Sequence, residues 1–422
     1  MSQLPRYENY KDSGVQWLGE IPSHWKCLSI KRLTLVKRGA SPRPIDNPEY
    51  FDDEGEYAWV RIADVTASDK YLLETTQRLS ELGSSLSVKM QPDSIFLSIA
   101  GSVGKPIITK VKACIHDGFV YFPDWKESIN FLYYIFASGQ PYLGLGKLGT
   151  QLNLNTDTVG NIKIALPPSD EQEAIVDFLD KRLAQVDTLI AKQETLLEKL
   201  AEQRVALISH AVTKGLNPDV EMKESGVEWL GKVPKSWCIA NLRYFISCNS
   251  GDALESSRIL RDADEFNNIP VIGGNGLLGF TENSNYKKEC IAVGRVGALC
   301  GNVHFINYES WINDNALLIK LISDKFNINY LVYLLRSRNL NELASKTAQP
   351  LLTGTQVKAE KVCIPLMKEQ LEIVRYLDTN LQSLDRLLET VNKTIQTLRE
   401  YRSTLITQVV TGKIDVRNLK LN

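Results

Sequence analysis

The chain has 422 residues and a formal net charge of −1, so it is long enough for two or three domains but lacks the basic surplus of a free-standing nucleic-acid binder. No run of about twenty apolar residues occurs, which excludes a spanning helix, and the polar start MSQLPRYENYKDSG has no signal-peptide core. Seven scattered cysteines without a CxxC, and four dispersed histidines, speak against a zinc site, a redox pair or a metal cluster and fit reduced thiols in a cytosol.

The first marked stretch is DSGVQWLGEIPSHW, Asp12 to Trp25. Its density of Trp, Gly and Pro predicts a tight packed turn, with Trp17 and Trp25 as packing residues. Six basic and no acidic residues follow between Lys26 and Arg43, a candidate phosphate-contacting edge. The body over 26–165 reads as mixed α and β. SIFLSIA (94–100) predicts a buried strand and INFLYYIFAS (129–138) a short buried helix. Between them lie a glycine turn, GSVGKP (101–106), and IHDGFVYF (115–122). A polar stretch (144–159) comes next, and LPPSDEQ (166–172) closes the body, because proline stops a strand and redirects the chain.

Asp170 to Lys214 contains neither Pro nor Gly. Ser169 or Asp170 can cap its start, where Asp170, Glu171 and Glu173 face the positive helix end. Leu179, Leu183, Val186, Ile190, Gln193, Leu197, Leu200, Arg204, Leu207 and Ala211 recur at alternating steps of four and three. That heptad seam predicts a long helix packed against another helix. Leu189 and Leu196 broaden the stripe, and Gly215 terminates it.

Most of these features return. ESGVEWLGKVPKSW (224–237) repeats the opening motif at an offset of 212, with Trp229 and Trp237 in place of the first pair. KVCIPL (361–366) predicts a strand, INYLVYLLRS (328–337) a helix, and GRVGAL (294–299) and INDNALLI (312–319) correspond to the glycine turn and the segment after it. IPLMKEQ (364–370) repeats the proline hinge. At an offset of 198 the seam recurs as Leu377, Leu381, Leu384, Leu388, Val391, Ile395, Leu398, Arg402, Leu405 and Val409, and Gly412 follows. The chain is thus a tandem duplication whose second copy is 14 residues shorter between the motifs. The expected architecture is mixed α/β: two α+β bodies joined by two long helices in an antiparallel coiled coil, with internal pseudo-two-fold symmetry. The segments are 1–168, 169–215, 216–364 and 365–422. Either sense of pairing is reachable across a whole intervening body; the antiparallel one is favoured because it gives the repeat an internal two-fold axis, and it carries a corollary. A contact of Arg204 with Asp385 then implies one of Arg402 with Asp187, because both pairs have the same index sum.

No GxxxxGK[ST] occurs, GGNG (273–276) lacks a dinucleotide-binding context, and Asn47-Pro-Glu-Tyr50 lacks the second proline of an adenine-methylation signature. Pro218-Asp219 with Glu221-x-Lys223 has the parts of a nuclease signature at too short a spacing. No acid/base pair or nucleophile triad is present, so the chain is expected not to be an enzyme.

The duplicated opening motifs, the PPSDEQ and PLMKEQ hinges, LDKRLAQVD (179–187) and LDTNLQSLD (377–385), and the endings LISHAVTKG and LITQVVTGK together resemble the specificity subunit of type I restriction-modification systems. The resemblance spans essentially the whole chain. It implies two target recognition domains, each reading one half of a bipartite site in double-stranded DNA, with the coiled coil setting the spacer. It implies two modification subunits that bind S-adenosylmethionine and methylate adenine, and two restriction subunits that hydrolyse ATP with Mg. No cofactor is expected on this chain, and the location implied is the prokaryotic cytoplasm. The rival reading is a two-lobed scaffold, an RNA binder or an orphan subunit that no longer reads DNA. Candidate DNA-binding residues are Arg38 and Arg43 from the basic run, Lys105 and Arg295 from the glycine turns, Thr150, Gln151 and Asn153 from the polar stretch, and Lys346, Thr347 and Gln349 from its counterpart LASKTAQPLLTGTQV (343–357). Gly101, Gly104, Gly294 and Gly297 are expected as turn-makers.

Overall fold

The computed structural model describes residues 5–143, 145, 154–297, 299–345 and 350–419. Contacts divide the chain into two compact units, Met1–Gln193 with Lys393–Asn422, and Glu194–Asn392. The units do not follow the segment boundaries read from the sequence, because each takes part of both long helices.

The first unit opens on a hairpin, Tyr10–Asp12 against Glu20–Pro22. The chain then forms the strand Lys26–Ser29, which pairs antiparallel with Lys163–Leu166 at the far end of the body. Between them lie a five-stranded sheet and a four-stranded sheet. In the first, the strand Phe119–Tyr121 is flanked by Lys37–Arg38 on one side and Ser94–Ser98 on the other. In the second, Ala113–Ile115 runs parallel to Tyr57–Val60. The helices of this body are α1 (Ile62–Ala67), α2 (Glu81–Ser85), α3 (Ile129–Ala137) and α4 (Thr156–Asn161). α3 is apolar on nearly every side and buries Phe131, Leu132, Ile135 and Phe136. The long helix α5 (Ser169–Lys214) leaves the body at Pro167–Pro168.

The second unit repeats the plan. A hairpin joins Met222–Glu224 to Lys232–Pro234, and Cys238–Asn241 pairs with Lys361–Ile364. The strand Ala316–Leu321 is flanked by Ile246–Ser250 and Cys290–Gly294. Its second sheet keeps one parallel pair, Val271–Ile272 with Trp311–Ile312. The helices are α6 (Ile328–Ser337), α7 (Gly354–Ala359) and α8 (Met367–Val410). Where the first body has α1 and α2, the second has a hairpin of Ile269–Gly273 and Gly276–Thr281, and this exchange is where the second copy is shorter.

The opening motif is therefore a hairpin that delivers one tryptophan to the core. Trp25 and Trp237 are fully buried. Trp17 and Trp229 are half-buried, and the Arg338 guanidinium lies 5.6 Å from the centre of the Trp229 ring. Both long helices end in a left-handed glycine, Gly215 at φ 78° and Gly412 at φ 69°. At the second, Lys413 N donates to Gln408 O and Gly412 N to Val409 O, the two hydrogen bonds of a Schellman stop. The Lys-Gly order at the first stop becomes Gly-Lys at the second, yet the two lysines do one job. Lys214 Nζ donates to the carbonyls of Leu230 and Lys232, and Lys413 Nζ to that of Glu20, so each helix end is tied to an opening hairpin.

Candidate nucleic-acid interface

Within each unit an arginine and an aspartate bridge the long helices. Arg402 Nε donates to Asp187 Oδ1 at 2.8 Å in the first, and Arg204 Nη1 donates to Asp385 Oδ1 in the second. The helices run antiparallel. Seam residues Leu179, Leu183, Val186, Leu200, Leu377, Leu381, Leu384, Val391 and Ile395 are buried, whereas Ile190, Leu197, Leu388 and Leu398 are half-buried. Two helices cover only one stripe of each other, so Leu189 and its repeat-mate Leu387 remain 47% and 43% exposed.

The hinge carries a paired anchor. Glu171 accepts from the indole of Trp25 at 3.1 Å and from the Tyr7 hydroxyl, and its other oxygen lies 2.9 Å from His24 Nε2. Glu369 accepts from the indole of Trp237 at 2.9 Å. The next residue of each copy, fully buried, ties the short body helix to the long one. Gln172 accepts from Ser128 N and donates to Pro167 O, and Gln370 accepts from Asn327 N and donates to Pro365 O. Ser128 and Asn327 are the N-caps of α3 and α6, so one glutamine fixes the start of two helices.

The most informative region is the turn preceding each central strand, His116-Asp117-Gly118 and Asn313-Asp314-Asn315. His116 Nδ1 accepts from Gly118 N at 2.8 Å, and Asn313 Oδ1 accepts from Asn315 N at 2.9 Å, so different side chains close the same turn. Gly39 N donates to Phe119 O and Ala40 N to Ile115 O. Gly251 N donates to Ala316 O and Asp252 N to Ile312 O. The two glycines are needed there. A Cβ on Gly39 would sit 2.2 Å from the His116 carbonyl oxygen, and one on Gly251 would sit 2.4 Å from that of Asn313.

These registers correct one expectation. Ser98 pairs with Phe119, while Gly294 pairs with Ala316. Ile99 N then donates to Gly118 O as Arg295 N does to Asn315 O. Arg295 is therefore equivalent to Ile99, three residues before the place that GSVGKP and GRVGAL suggest. Gly101 (φ 63°) matches Gly297 (φ 83°), and Gly104 (φ 87°) matches Gly301 (φ 90°), not Gly297. Gly294 does not have a positive φ; it closes its strand. A four-residue text match is short enough to slip; a ladder of backbone bonds is not.

Arg38 Nε donates to the Asp117 carbonyl, and Arg43 Nη2 lies 3.2 Å from Asp117 Oδ2. Ser41 donates to Asp117 Oδ1 at 3.1 Å. Burial disfavours the Asp117 charge, but the Ser41 hydroxyl and the neighbouring Arg38, His116 and Arg43 outweigh it and hold this carboxyl below the usual aspartate range. A cleft of about 880 Å³ opens beside it, with Trp59, Ile45, Arg43 and Arg61 among its walls. Arg295 Nη1 donates to Ser250 Oγ at 3.0 Å and to the Asp314 carbonyl at 3.2 Å. Lys105 is placed otherwise. Its ammonium donates to the carbonyls of Thr66 and Ser68 at the end of α1, 3.1 and 2.5 Å away, and burial lowers its pKa. Thr150, Gln151, Asn153, Lys346, Thr347 and Gln349 lie outside the described residues. Sequence reasoning missed Asp117 and Asp314 as organisers of the site, although they share the third place of the two matching octapeptides.

Comparison with known proteins agrees with this duplicated plan. The profile of a family described as "Type I restriction modification DNA specificity domain" matches residues 22–199 and 234–397. The EcoprrI specificity subunit of a type I restriction enzyme from Escherichia coli is 24% identical over 389 residues, 90% of each chain. The MjaVIII specificity subunit from Methanocaldococcus jannaschii is 22% identical over 443 residues, 99% of this chain and 98% of that one. A solved chain described under "complex assembly and conformational transition of the type I R-M system" superposes with a TM-score of 0.75 at 16% identity, covering 93% of this chain and 99% of that one. The HsdS subunit from Thermoanaerobacter tengcongensis gives 0.54 at 16% identity, covering 93% and 98%. At such identity the structural likeness is one of fold. The two profile matches fall on the two copies and take in most of the chain, which therefore belongs to the type I restriction-modification DNA specificity family.

Proposed function

We propose that each body reads one half of a split site in double-stranded DNA, and that the paired helices set the spacer and dock two modification subunits. The observation that carries this reading is the contrast inside one scaffold. The strand registers and turn bonds around Asp117 and Asp314 coincide, while Arg38 is exchanged for Ser250, Ile99 for Arg295 and His116 for Asn313. A shared frame with exchanged side chains on one turn suits two readers of different sequences.

In this reading the chain does no chemistry. The modification subunits bring S-adenosylmethionine, and two restriction subunits bring ATP and Mg. The complex works in the cytoplasm, and no helix among the described residues is long and apolar enough to cross a membrane. The net charge of −1 fits a subunit whose partners supply part of the clamp on the phosphates.

The test is co-expression with the modification subunit in a methylation-free host, followed by genome-wide mapping of methylated adenine. A split motif with one methylated adenine per strand, one in each half, is expected. Co-purification of the two subunits without methylation would support a scaffold instead.

A further inference from the structure

A guanidinium reads guanine well only when its planar fork is already aimed, because a long exposed side chain otherwise loses much rotamer freedom on binding. Both bodies hold such a fork against the same turn. In the first, Arg43 is 77% exposed at its side chain, yet one of its nitrogens lies 3.2 Å from Asp117 Oδ2. Asp117 is itself held on three sides: Ser41 donates to Oδ1, Arg38 donates to the carbonyl, and the Gly39 strand end lies against the turn without room for a Cβ. In the second, Arg295 donates through Nη1 to both Ser250 Oγ and the Asp314 carbonyl. Each pin engages one nitrogen of a group with five N–H donors, which leaves a free edge able to meet two acceptors at once.

The two forks reach the turn from opposite sides. Arg43 follows the strand Lys37–Arg38, on one flank of Phe119–Tyr121, whereas Arg295 follows Cys290–Gly294, on the other flank of Ala316–Leu321. The register equivalents are Ser250 for Arg38 and Ile99 for Arg295, so neither body has arginine on both flanking positions. Arginine has been placed twice, by different routes, beside one turn.

We propose that Arg43 and Arg295 each read a guanine in the major groove, one per half-site, and that Asp117 is the positioning residue for Arg43. This rests on the reading that each body recognises half of a split DNA site. A guanine edge offers O6 and N7 in line, which the free edge of a pinned fork matches. A phosphate also accepts an arginine fork, but it carries no sequence, so a phosphate contact would weaken binding at every site alike where a guanine contact relaxes one position.

The complex of the full chain with its modification subunit tests this through motif mapping, with wild type, Arg43→Lys, Asp117→Asn, their double variant and Arg295→Lys compared. The lysine variants keep the charge and lose the fork. Arg43→Lys should admit other bases at one position of one half-site, with discrimination falling roughly ten- to a hundredfold. Asp117→Asn should relax that same position, and the double variant should relax it no further than Arg43→Lys does. Arg295→Lys should relax one position of the other half-site only. Unchanged stringency in both lysine variants overturns the inference. So does an equal loss of methylation at every site without relaxation, which is what a merely structural role produces. If wild type itself yields no split motif, the underlying reading fails and the inference falls with it. A split motif that the variants leave intact removes the inference alone.

Discussion

Arg402 Nε and Asp187 Oδ1 lie 2.8 Å apart, with the two side chains 40% and 51% exposed. Arg204 and Asp385 make the same bridge in the second unit, at 34% and 56% exposure. Pairs this open to water contribute about 0.2–1 kcal/mol, screened by salt. Asp187→Ala should therefore lower the urea midpoint only slightly, and less so in high salt. Leu183→Ala, which empties a seam position only 4% exposed, should cost about 2–5 kcal/mol. A larger loss from Asp187→Ala than from Leu183→Ala would mean that the bridges, not the seam, hold the helices together.

Gln172 and Gln370 should be among the least replaceable side chains. Each is fully buried and satisfies a helix-start N–H as well as a proline carbonyl. Truncation to alanine leaves those groups without a partner, at about 1–3 kcal/mol for each. Thermal unfolding should show a clear drop for Gln172→Ala and for Gln370→Ala. Gln382→Ala, at an exposed position of α8, should be near neutral.

Gly39→Ala and Gly251→Ala should each disturb the turn of one body and spare that of the other. The new methyl would meet a backbone carbonyl at 2.2 or 2.4 Å, which no rotamer change relieves. Overpacking of this kind costs about 1–3 kcal/mol. Gly160→Ala, inside α4 with its nearest neighbour 3.5 Å away, should be neutral or stabilising by about 0.5–1 kcal/mol. Motif mapping of the two strand-end variants should show one damaged half-site each.

The first turn should loosen in mild acid. Burial holds the His116 imidazole below its ordinary 6.5; Arg38 adds to that, and Asp117 opposes it. A folded pKa below the unfolded one means that the unfolded chain takes the proton first. The stabilisation is then present above pH 6.5 and is lost as pH falls below it. His116→Asn should abolish this dependence and keep the fold, because Asn313 already closes the equivalent turn with the same bond. Hydrogen exchange at Gly118 across pH 5–8 reads it directly. A pH response that survives His116→Asn would place the titrating group elsewhere.

An insertion of four residues in one long helix advances its end by about 6 Å, close to two base pairs. The spacer of the recognised site should change and the half-sites should not. Altered half-sites with an unchanged spacer would refute the spacer role of the helices.

The duplication, the two long helices and the proline hinges were legible in the sequence by itself, since periodicity and repetition are one-dimensional signals, whereas the antiparallel sense of the helices was an expectation that the Arg402–Asp187 and Arg204–Asp385 bridges bear out. A heptad seam needs no knowledge of what lies across it, and a repeat offset links Asp187 with Asp385 and Arg204 with Arg402 before any coordinate does. The hairpin form of the opening motif, the placing of Arg295 opposite Ile99, the clamp of Lys105 on the end of α1 and the roles of Asp117 and Asp314 were decided only in three dimensions. Each depends on strands distant in sequence. Phe119 meets Ser98 and Ala316 meets Gly294 through backbone bonds that carry no side-chain signature. A slip of three residues in a glycine motif costs nothing in a text match. In a sheet it would leave buried N–H and C=O groups unpaired, and so the ladder, not the motif, determines which side chain stands beside the turn.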